Sequence, residues 1–144
     1  MTAFYAGSFD PFTVGHLSIA LKILKIFPRL IIGIGFNESK RAEISVEERI
    51  EKISKIFKGN RCVSVIAYDG LTSEVAKAHG AGVLVRGVRN TLDFEKEREL
   101  ADINQKVFDM PTVLIPSDPE LSFVSSSMVR ELSHFGVDVS NFIP

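Results

Sequence analysis

Residues 6–16 read AGSFDPFTVGH, and this stretch, called the signature turn below, decides the fold of the chain. An apolar run at residues 3–6 leads into it, and apolar residues at helical spacing follow from about Leu17 to Phe27. The pattern predicts a strand-to-helix turn, where open parallel sheets bind ligands. Glycines let backbone approach a ligand, and a helix N-terminus favours anions. We therefore expect the turn to hold nucleotide phosphates and His16 to take part in the chemistry.

The rest of the chain predicts an α/β fold: a Rossmann-like, doubly wound, five-stranded parallel sheet with helices on both faces. Five short apolar runs alternate with five helical patterns along the 144 residues. A single domain, residues 1–144, accounts for this length. Ser45 and Glu48 have the spacing of a capping box at the start of the second helix. The long fourth helix has its apolar side at Phe94, Leu100, Ile103 and Val107.

Composition argues against several classes of protein. Hydrophobic residues make up 45% of the chain, charged residues 24%, and the net charge is −1, so nothing indicates a nucleic-acid or membrane surface. The N-terminus lacks the pattern of a signal peptide, and we expect a cytoplasmic protein. Cys62 is the only cysteine, which excludes an intrachain disulfide, and we expect it to be a small buried apolar residue.

Familiar nucleotide and metal motifs are absent. No G-x-G-x-x-G segment joins a strand to a helix, which disfavours a dinucleotide oxidoreductase, and no P-loop sequence occurs. No cluster of His, Asp or Glu has metal-ligand spacing, so we expect no protein metal ligands. Any Mg²⁺ would be held mainly through phosphate oxygens, as that ion often is.

Unusual polar residues follow the predicted strand ends, which share one edge of a parallel sheet. This set has cations, three consecutive hydroxyls and two helix starts, and it fits a polyphosphate. Its members are Ser8, Asp10 and His16 after strand one, Lys40 and Arg41 after strand two, Arg86 and Arg89 after strand four, and Ser125, Ser126, Ser127 and Arg130 after strand five.

Taken singly, most of these residues have simpler interpretations. His16 could be a solvated loop histidine, and Lys40 with Arg41 a solvated charged loop. Asp10 before a proline is typical of a turn in which the carboxylate bonds local backbone. The three serines could form an ordinary helix N-cap. Arg86 is more telling, because a charge directly after a buried strand needs a partner.

The signature turn resembles the [TS]-F-D-P-x-T-x-G-H segment of the nucleotidyltransferase superfamily, which residues 8–16 match. More closely, the chain resembles the bacterial phosphopantetheine adenylyltransferases. That match continues, in order, through 39–40, 47–49, 85–89, 93–97 and 122–130. Thr13, at the start of the T-x-G-H part of the turn, favours this branch of the superfamily.

The resemblance implies transfer of the adenylyl group of ATP to 4′-phosphopantetheine, which gives dephospho-coenzyme A and pyrophosphate, the penultimate step of coenzyme A synthesis. It implies Mg²⁺, a homohexamer, and coenzyme A as a candidate product-like inhibitor. His16 would bind ATP and stabilise the pentacovalent transition state. The residues implied to contact phosphopantetheine are Ser8, Lys40, Thr72 and Arg86. The residues implied to hold ATP are Ser8, Phe9, His16, Gly87, Val88, Arg89, Glu97, Leu121, Ser122, Phe123, Val124, Ser125, Ser126 and Ser127.

The residues leave two alternatives open. One is a related nucleotidyltransferase that uses another acceptor or nucleotide, such as glycerol phosphate with CTP or nicotinamide mononucleotide with ATP. The other is a nucleotide-binding module without turnover. A second cationic cluster, suited to an acceptor phosphate, argues against a mere binder. The expected chemistry needs no activated side-chain nucleophile, because a phosphate oxyanion attacks directly, and catalysis would come from positioning and electrostatics.

Overall fold

The computed structural model describes all 144 residues, and its strands and helices alternate along the whole chain. The strands are β1 (Thr2–Gly7), β2 (Arg29–Gly35), β3 (Val63–Tyr68), β4 (Val83–Val88) and β5 (Thr112–Pro116). The helices are α1 (Val14–Ile26), α2 (Val46–Ile56), α3 (Thr72–Ala78), α4 (Thr91–Phe108) and α5 (Ser126–His134), with single 3₁₀ turns at Pro119–Leu121 and Ser140–Phe142.

All five strands form one parallel sheet in the order β3-β2-β1-β4-β5. The chain therefore winds outward from β1 in one direction and then from β4 in the other. The gap between the ends of β1 and β4 is the place where such sheets bind ligands. The five-stranded parallel sheet confirms the predicted fold class. The signature turn follows β1 and therefore lies at the centre of the sheet's carboxyl edge.

A hydrophobic core lies on each face of the sheet, so the prediction of helices on both faces is confirmed. On one face α1 and α2 pack through Ile23 and Ile53, both fully buried, against β1, β2 and β4. The four apolar residues predicted for the second helix, Ile50, Ile53, Ile56 and Phe57, all pack into this core. On the other face α3 and the end of α4 cover Phe4 and Leu84.

The residues named as the apolar side of α4 do not pack into either core. These four residues are between 46% exposed (Phe94) and 66% exposed (Val107), and no residue of the helix is buried. The helix contacts its neighbours partly through Asn104, which accepts a hydrogen bond from Ser73 and donates one to Thr112. No helix of the structure has the length and apolar character needed to cross a membrane.

Two local predictions are also corrected. Cys62 is exposed, because it lies in the turn before β3, where its carbonyl rather than its side chain joins the sheet by accepting from the Leu30 amide. The capping box at Ser45 is only half formed. The Ser45 hydroxyl accepts from the Glu48 amide, but the Glu48 carboxylate pairs with Lys52 at 3.2 Å instead of returning to the N-cap.

Candidate active site

The signature turn is held from outside by side chains of two helices that are distant in sequence. Arg49 of α2 donates to the carbonyl oxygen of Ser8 at 2.7 Å. Arg130 of α5 donates to that of Asp10 at 2.6 Å, and the Ser126 hydroxyl donates to that of Pro11 at 2.7 Å. These charge-assisted and hydroxyl bonds fix the turn's backbone, so its conformation depends on tertiary contacts.

Asp10 links the signature turn to the loop that carries the predicted cations Lys40 and Arg41. Its buried carboxylate accepts from the backbone amides of Glu43 at 3.2 Å and Ile44 at 3.0 Å. The interpretation of Asp10 as a local turn residue is therefore wrong, because both donors lie more than thirty residues away. The bonds keep this exposed loop beside the ends of β1 and β2.

His16 forms the reciprocal capping box that the sequence suggested for Ser45. α1 begins at Val14, earlier than predicted, with the buried Thr13 as its N-cap. The Thr13 hydroxyl accepts from the His16 amide at 3.3 Å, and His16 Nδ1 accepts from the Thr13 amide at 2.9 Å. The imidazole lies 5.0 Å from the ring of Phe9 and 5.4 Å from that of Phe12, between centroids. This packing and the cap hold the ring in one orientation.

Burial, with a smaller contribution from the charges of Arg86 and Arg89, lowers the pKa of His16 from 6.5 to about 4. The imidazole is therefore neutral at pH 7. Since Nδ1 accepts the Thr13 amide hydrogen, the ring's own hydrogen is on Nε2. His16 is thus a neutral hydrogen-bond donor, suited to a phosphoryl oxygen, and it needs no gain or loss of a proton to act.

We expect the stability conferred by neutral His16 to be complete above about pH 6.5 and to be lost as the pH falls towards 4. The unfolded chain binds the proton at the ordinary pKa of 6.5, and the folded chain only near 4. Each pKa unit is worth about 1.4 kcal/mol, so the free energy of unfolding should fall by up to about 3 kcal/mol. Urea denaturation at several pH values would measure this. His16→Gln keeps an acceptor for the cap but does not titrate, so an identical pH dependence in that variant would contradict the assignment.

Arg86 and Glu97 form a two-pronged ion pair beside β1. Arg86 Nε and Nη2 donate to the two carboxylate oxygens of Glu97 at 2.9 and 2.8 Å, and Nη1 donates to the carbonyl of Ala6. The sequence predicted that Arg86 would follow the fourth strand. It instead lies within the strand, because β4 continues to Val88. Glu97 raises the pKa of Arg86 against the opposing effect of burial, so the guanidinium stays charged and is held in one orientation.

Two of the cavities beside the signature turn meet at Ser8, which is the one residue that lines both. The larger, of about 820 Å³, is lined by the predicted acceptor residues Lys40 and Thr72, together with Arg49. The smaller, of about 240 Å³, is lined by His16 and also by Arg86, which the resemblance assigns to the acceptor. Other residues predicted for ATP that line the smaller cavity are Phe9, Gly87, Val88, Arg89, Leu121, Val124, Ser125 and Ser126.

Four residues predicted for ATP do not line either cavity: Glu97, Ser122, Phe123 and Ser127. Glu97 is engaged with Arg86, and the Ser122 hydroxyl donates to the Pro119 carbonyl. Phe123 is 61% exposed. The side-chain hydroxyl of Ser127 forms a hydrogen bond only with the hydroxyl of Ser125, at 3.3 Å between oxygens. Ser125 is the N-cap of α5, since it accepts from the Met128 amide at 3.1 Å, so the N-cap interpretation of the serines is confirmed for that residue.

Two residues that organise the site were not singled out as site residues from the sequence. Arg49 is 4% exposed and has no carboxylate partner, so it is a buried cation held by carbonyl oxygens. Its sequence signal is its position four residues before the core residue Ile53, on the apolar side of α2. Asp118 anchors the loop after β5 by accepting from Ser18 at 2.7 Å and pairing with Lys22 at 2.8 Å. Nothing local in the sequence indicates that contact.

The comparisons with known proteins agree with the resemblance in the signature turn. The family model described as cytidylyltransferase-like matches residues 4–132. A phosphopantetheine adenylyltransferase of Porphyromonas gingivalis is 50% identical over 142 residues, which cover 99% of this chain and 93% of that protein. Proteins of the same name from Phocaeicola vulgatus and Bacteroides thetaiotaomicron are 45% and 44% identical, each with 99% of this chain and 94% of the relative covered.

Proposed function

Because the chain belongs to the cytidylyltransferase-like family, and within it to the phosphopantetheine adenylyltransferases, we propose that it transfers the adenylyl group of ATP to 4′-phosphopantetheine. The products are dephospho-coenzyme A and pyrophosphate, and the reaction is the penultimate step of coenzyme A synthesis. The observation that carries the proposal is the pair of cavities that meet at Ser8, one lined by Lys40 and Thr72 and the other by His16. A reaction between two phosphorylated molecules needs such an arrangement.

The reaction is a direct in-line displacement at the α-phosphorus of ATP. An oxygen of the acceptor phosphate forms the new P–O bond, and the bond to the β-phosphate bridging oxygen breaks, so that pyrophosphate leaves with its electron pair. The attacking group is already an anion and no proton must be removed. The protein's part is to align the two phosphates and to stabilise the charge on the phosphoryl oxygens. The neutral Nε2–H donor of His16 fits the second task.

The two substrates divide between the cavities. Phosphopantetheine occupies the larger, where Ser8, Lys40 and Thr72 contact it, and its phosphate reaches Arg86 across the end of β1. ATP occupies the smaller, where its phosphates lie near the N-termini of α1 and α5, whose backbone amides favour anions. Support for this division comes from Arg86, whose guanidinium bonds the carbonyl of Ala6, two residues before Ser8.

Mg²⁺ is the cofactor we propose, held mainly through ATP phosphate oxygens. No group of three or more His, Cys, Asp or Glu side chains in the chain is arranged to hold a metal ion. The polar side chains of the smaller cavity are hydroxyls, His16 and two arginines, of which Arg86 is already paired with Glu97. This donor set fits a magnesium–nucleotide complex, in which the ion neutralises phosphate charge, rather than a protein cage.

A homohexamer is the assembly we propose, and the exposed side of α4 supports an interface between copies. Leu92, Leu100, Ile103 and Val107 lie on one side of this helix and are all at least 49% exposed. A row of large apolar side chains of this length is typical of a surface that another protein covers. We also propose a cytoplasmic location and coenzyme A as a product-like inhibitor.

Incubation with ATP, Mg²⁺ and phosphopantetheine, followed by mass detection of dephospho-coenzyme A, tests the function. We expect that product and one pyrophosphate per turnover. Pyrophosphate release with a panel of other acceptors, including glycerol phosphate and nicotinamide mononucleotide, each with ATP and with CTP, tests whether the chain is a related nucleotidyltransferase. Product with another pair and none with phosphopantetheine would contradict the proposal. Tight ATP binding by calorimetry with no product from any acceptor would identify a binding module instead.

A further inference from the structure

Tyr68 is a wall residue of the larger cavity that the family resemblance does not assign to either substrate. It is the last residue of β3, paired in register with Gly35 of β2. Its carbonyl accepts from the Phe36 amide at 3.0 Å, which fixes its backbone at the edge of the sheet. Ser8 lies where the cavities meet, whereas Tyr68 and Thr72 line only the larger one.

The Tyr68 ring occupies space that β2 leaves open by having two glycines. A Cβ at Gly33 would lie 3.1 Å from Tyr68 Cε1, and a Cβ at Gly35 would lie 3.2 Å from the Tyr68 hydroxyl. Residues two apart on a strand face the same side of the sheet, so the ring lies along β2 from one glycine to the other. Phe4 contacts it edge-on, with 5.7 Å between ring centroids. The ring position is therefore set by the sheet.

The Tyr68 hydroxyl forms a pair with that of Thr72, at 2.9 Å between oxygens. Each hydroxyl has one hydrogen, and the bond between them uses one of the two. Neither oxygen has another hydrogen-bond partner in the structure, so one O–H donor remains free at the cavity wall. Burial raises the pKa of Tyr68, which keeps the phenol protonated at neutral pH.

We propose that Tyr68 is a specificity-determining residue for the acceptor and that its hydroxyl pair with Thr72 binds an amide of the pantetheine arm. This inference rests on the proposed function. A phosphorylated acceptor is anchored by cations at its phosphate, but Tyr68 and Thr72 carry no charge. The free O–H of the pair can donate to the carbonyl of an amide, and the oxygen lone pairs can accept from its N–H. An acceptor that has no hydrogen-bonding group at this distance from its phosphate gains nothing from the pair, so Tyr68 favours phosphopantetheine over such shorter phosphates.

The test is Tyr68→Phe, which keeps the ring against Gly33 and Gly35 and removes only the hydroxyl. We expect the KM and the calorimetric Kd for phosphopantetheine to rise roughly threefold to tenfold, the usual effect of one neutral hydrogen bond. The KM for ATP and kcat should stay within about twofold. Thr72→Val should behave similarly, and the double variant should lose less than the product of the two effects, because the hydroxyls act as one unit.

Ser64→Ala, an exposed hydroxyl of the same strand, is the matched control and should change none of these constants. Unchanged phosphopantetheine affinity in Tyr68→Phe would overturn the inference. So would an equal loss of affinity for ATP, which would indicate a structural role. Both outcomes leave the proposed function standing if the wild type makes dephospho-coenzyme A. A wild type that neither binds nor converts phosphopantetheine would reject the function and this inference together.

Discussion

The His16→Ala variant should lose roughly 100- to 1,000-fold in kcat, with a much smaller change in the KM of either substrate. Removing one preorganised donor from a charged transition state typically has this cost. The neutral imidazole donates through Nε2 because Nδ1 accepts the Thr13 amide hydrogen and the pKa lies near 4. Charge on the α-phosphoryl oxygens is greatest in the pentacovalent state, so the effect should fall on kcat. Single-turnover pyrophosphate release measures it.

A second substitution at the same position separates catalysis from local folding. His16 also completes the capping box of α1, so alanine removes a structural contact as well. His16→Glu supplies an acceptor for the Thr13 amide, as glutamate commonly does at this helix position, but it offers no donor to a phosphoryl oxygen. We expect this variant to melt near the wild-type temperature and to remain as inactive as His16→Ala. Wild-type pyrophosphate release by either variant would contradict the assigned role.

The Arg86→Met variant should weaken phosphopantetheine binding roughly tenfold to over a hundredfold. Loss of a charged hydrogen-bond partner typically costs about 1.5–3 kcal/mol. Its guanidinium is positioned by Glu97 on one side and by the Ala6 carbonyl on the other, so it meets an acceptor phosphate without reorganising. Competition binding with phosphopantetheine and, separately, with ATP measures the effect. A selective loss of ATP affinity would count against the assignment to the acceptor.

The paired variant Arg86→Met with Glu97→Met is the control for stability. Arg86→Met alone leaves the Glu97 carboxylate, whose side chain is 12% exposed, without its partner, and such a stranded charge destabilises a fold. Replacing both groups should restore part of the melting temperature but none of the affinity for phosphopantetheine. Recovery of affinity together with stability would mean that Arg86 acts on the fold and not on the substrate.

Arg86 also illustrates how far sequence reasoning reached into the site. The position of a charge beside a buried strand correctly indicated that it needed a partner. Neither that partner nor the continuation of β4 through Arg86 followed from the local pattern. Glu97 lies in a helix whose charged residues look alike in the sequence. The resemblance singled out Glu97 for ATP, but only the packing of α4 beside β4 identifies it as the partner of Arg86.

Tertiary packing decided the features that oppose local preference or join distant segments. Phe9 has a φ of 49°, which a bulky side chain rarely adopts, and its ring is 2% exposed among Tyr5, Phe12 and His16. Burial of that ring offsets the backbone cost. Tertiary packing also decides the long-range hydrogen bonds of Asp10 and Arg49. It likewise decides which side of α4 stays exposed, because burial depends on the elements that pack against the helix.

The signature turn shows the division most clearly. The sequence by itself determined that a strand, a turn and a helix follow one another there, and that the other cation-bearing loops share its edge, because hydrophobic periodicity is local and parallel strands point their carboxyl ends the same way. Only the tertiary structure decided that His16 is a neutral donor and that Ser8 joins two cavities. A pKa and a cavity depend on groups brought together from the whole chain, which no local spacing records.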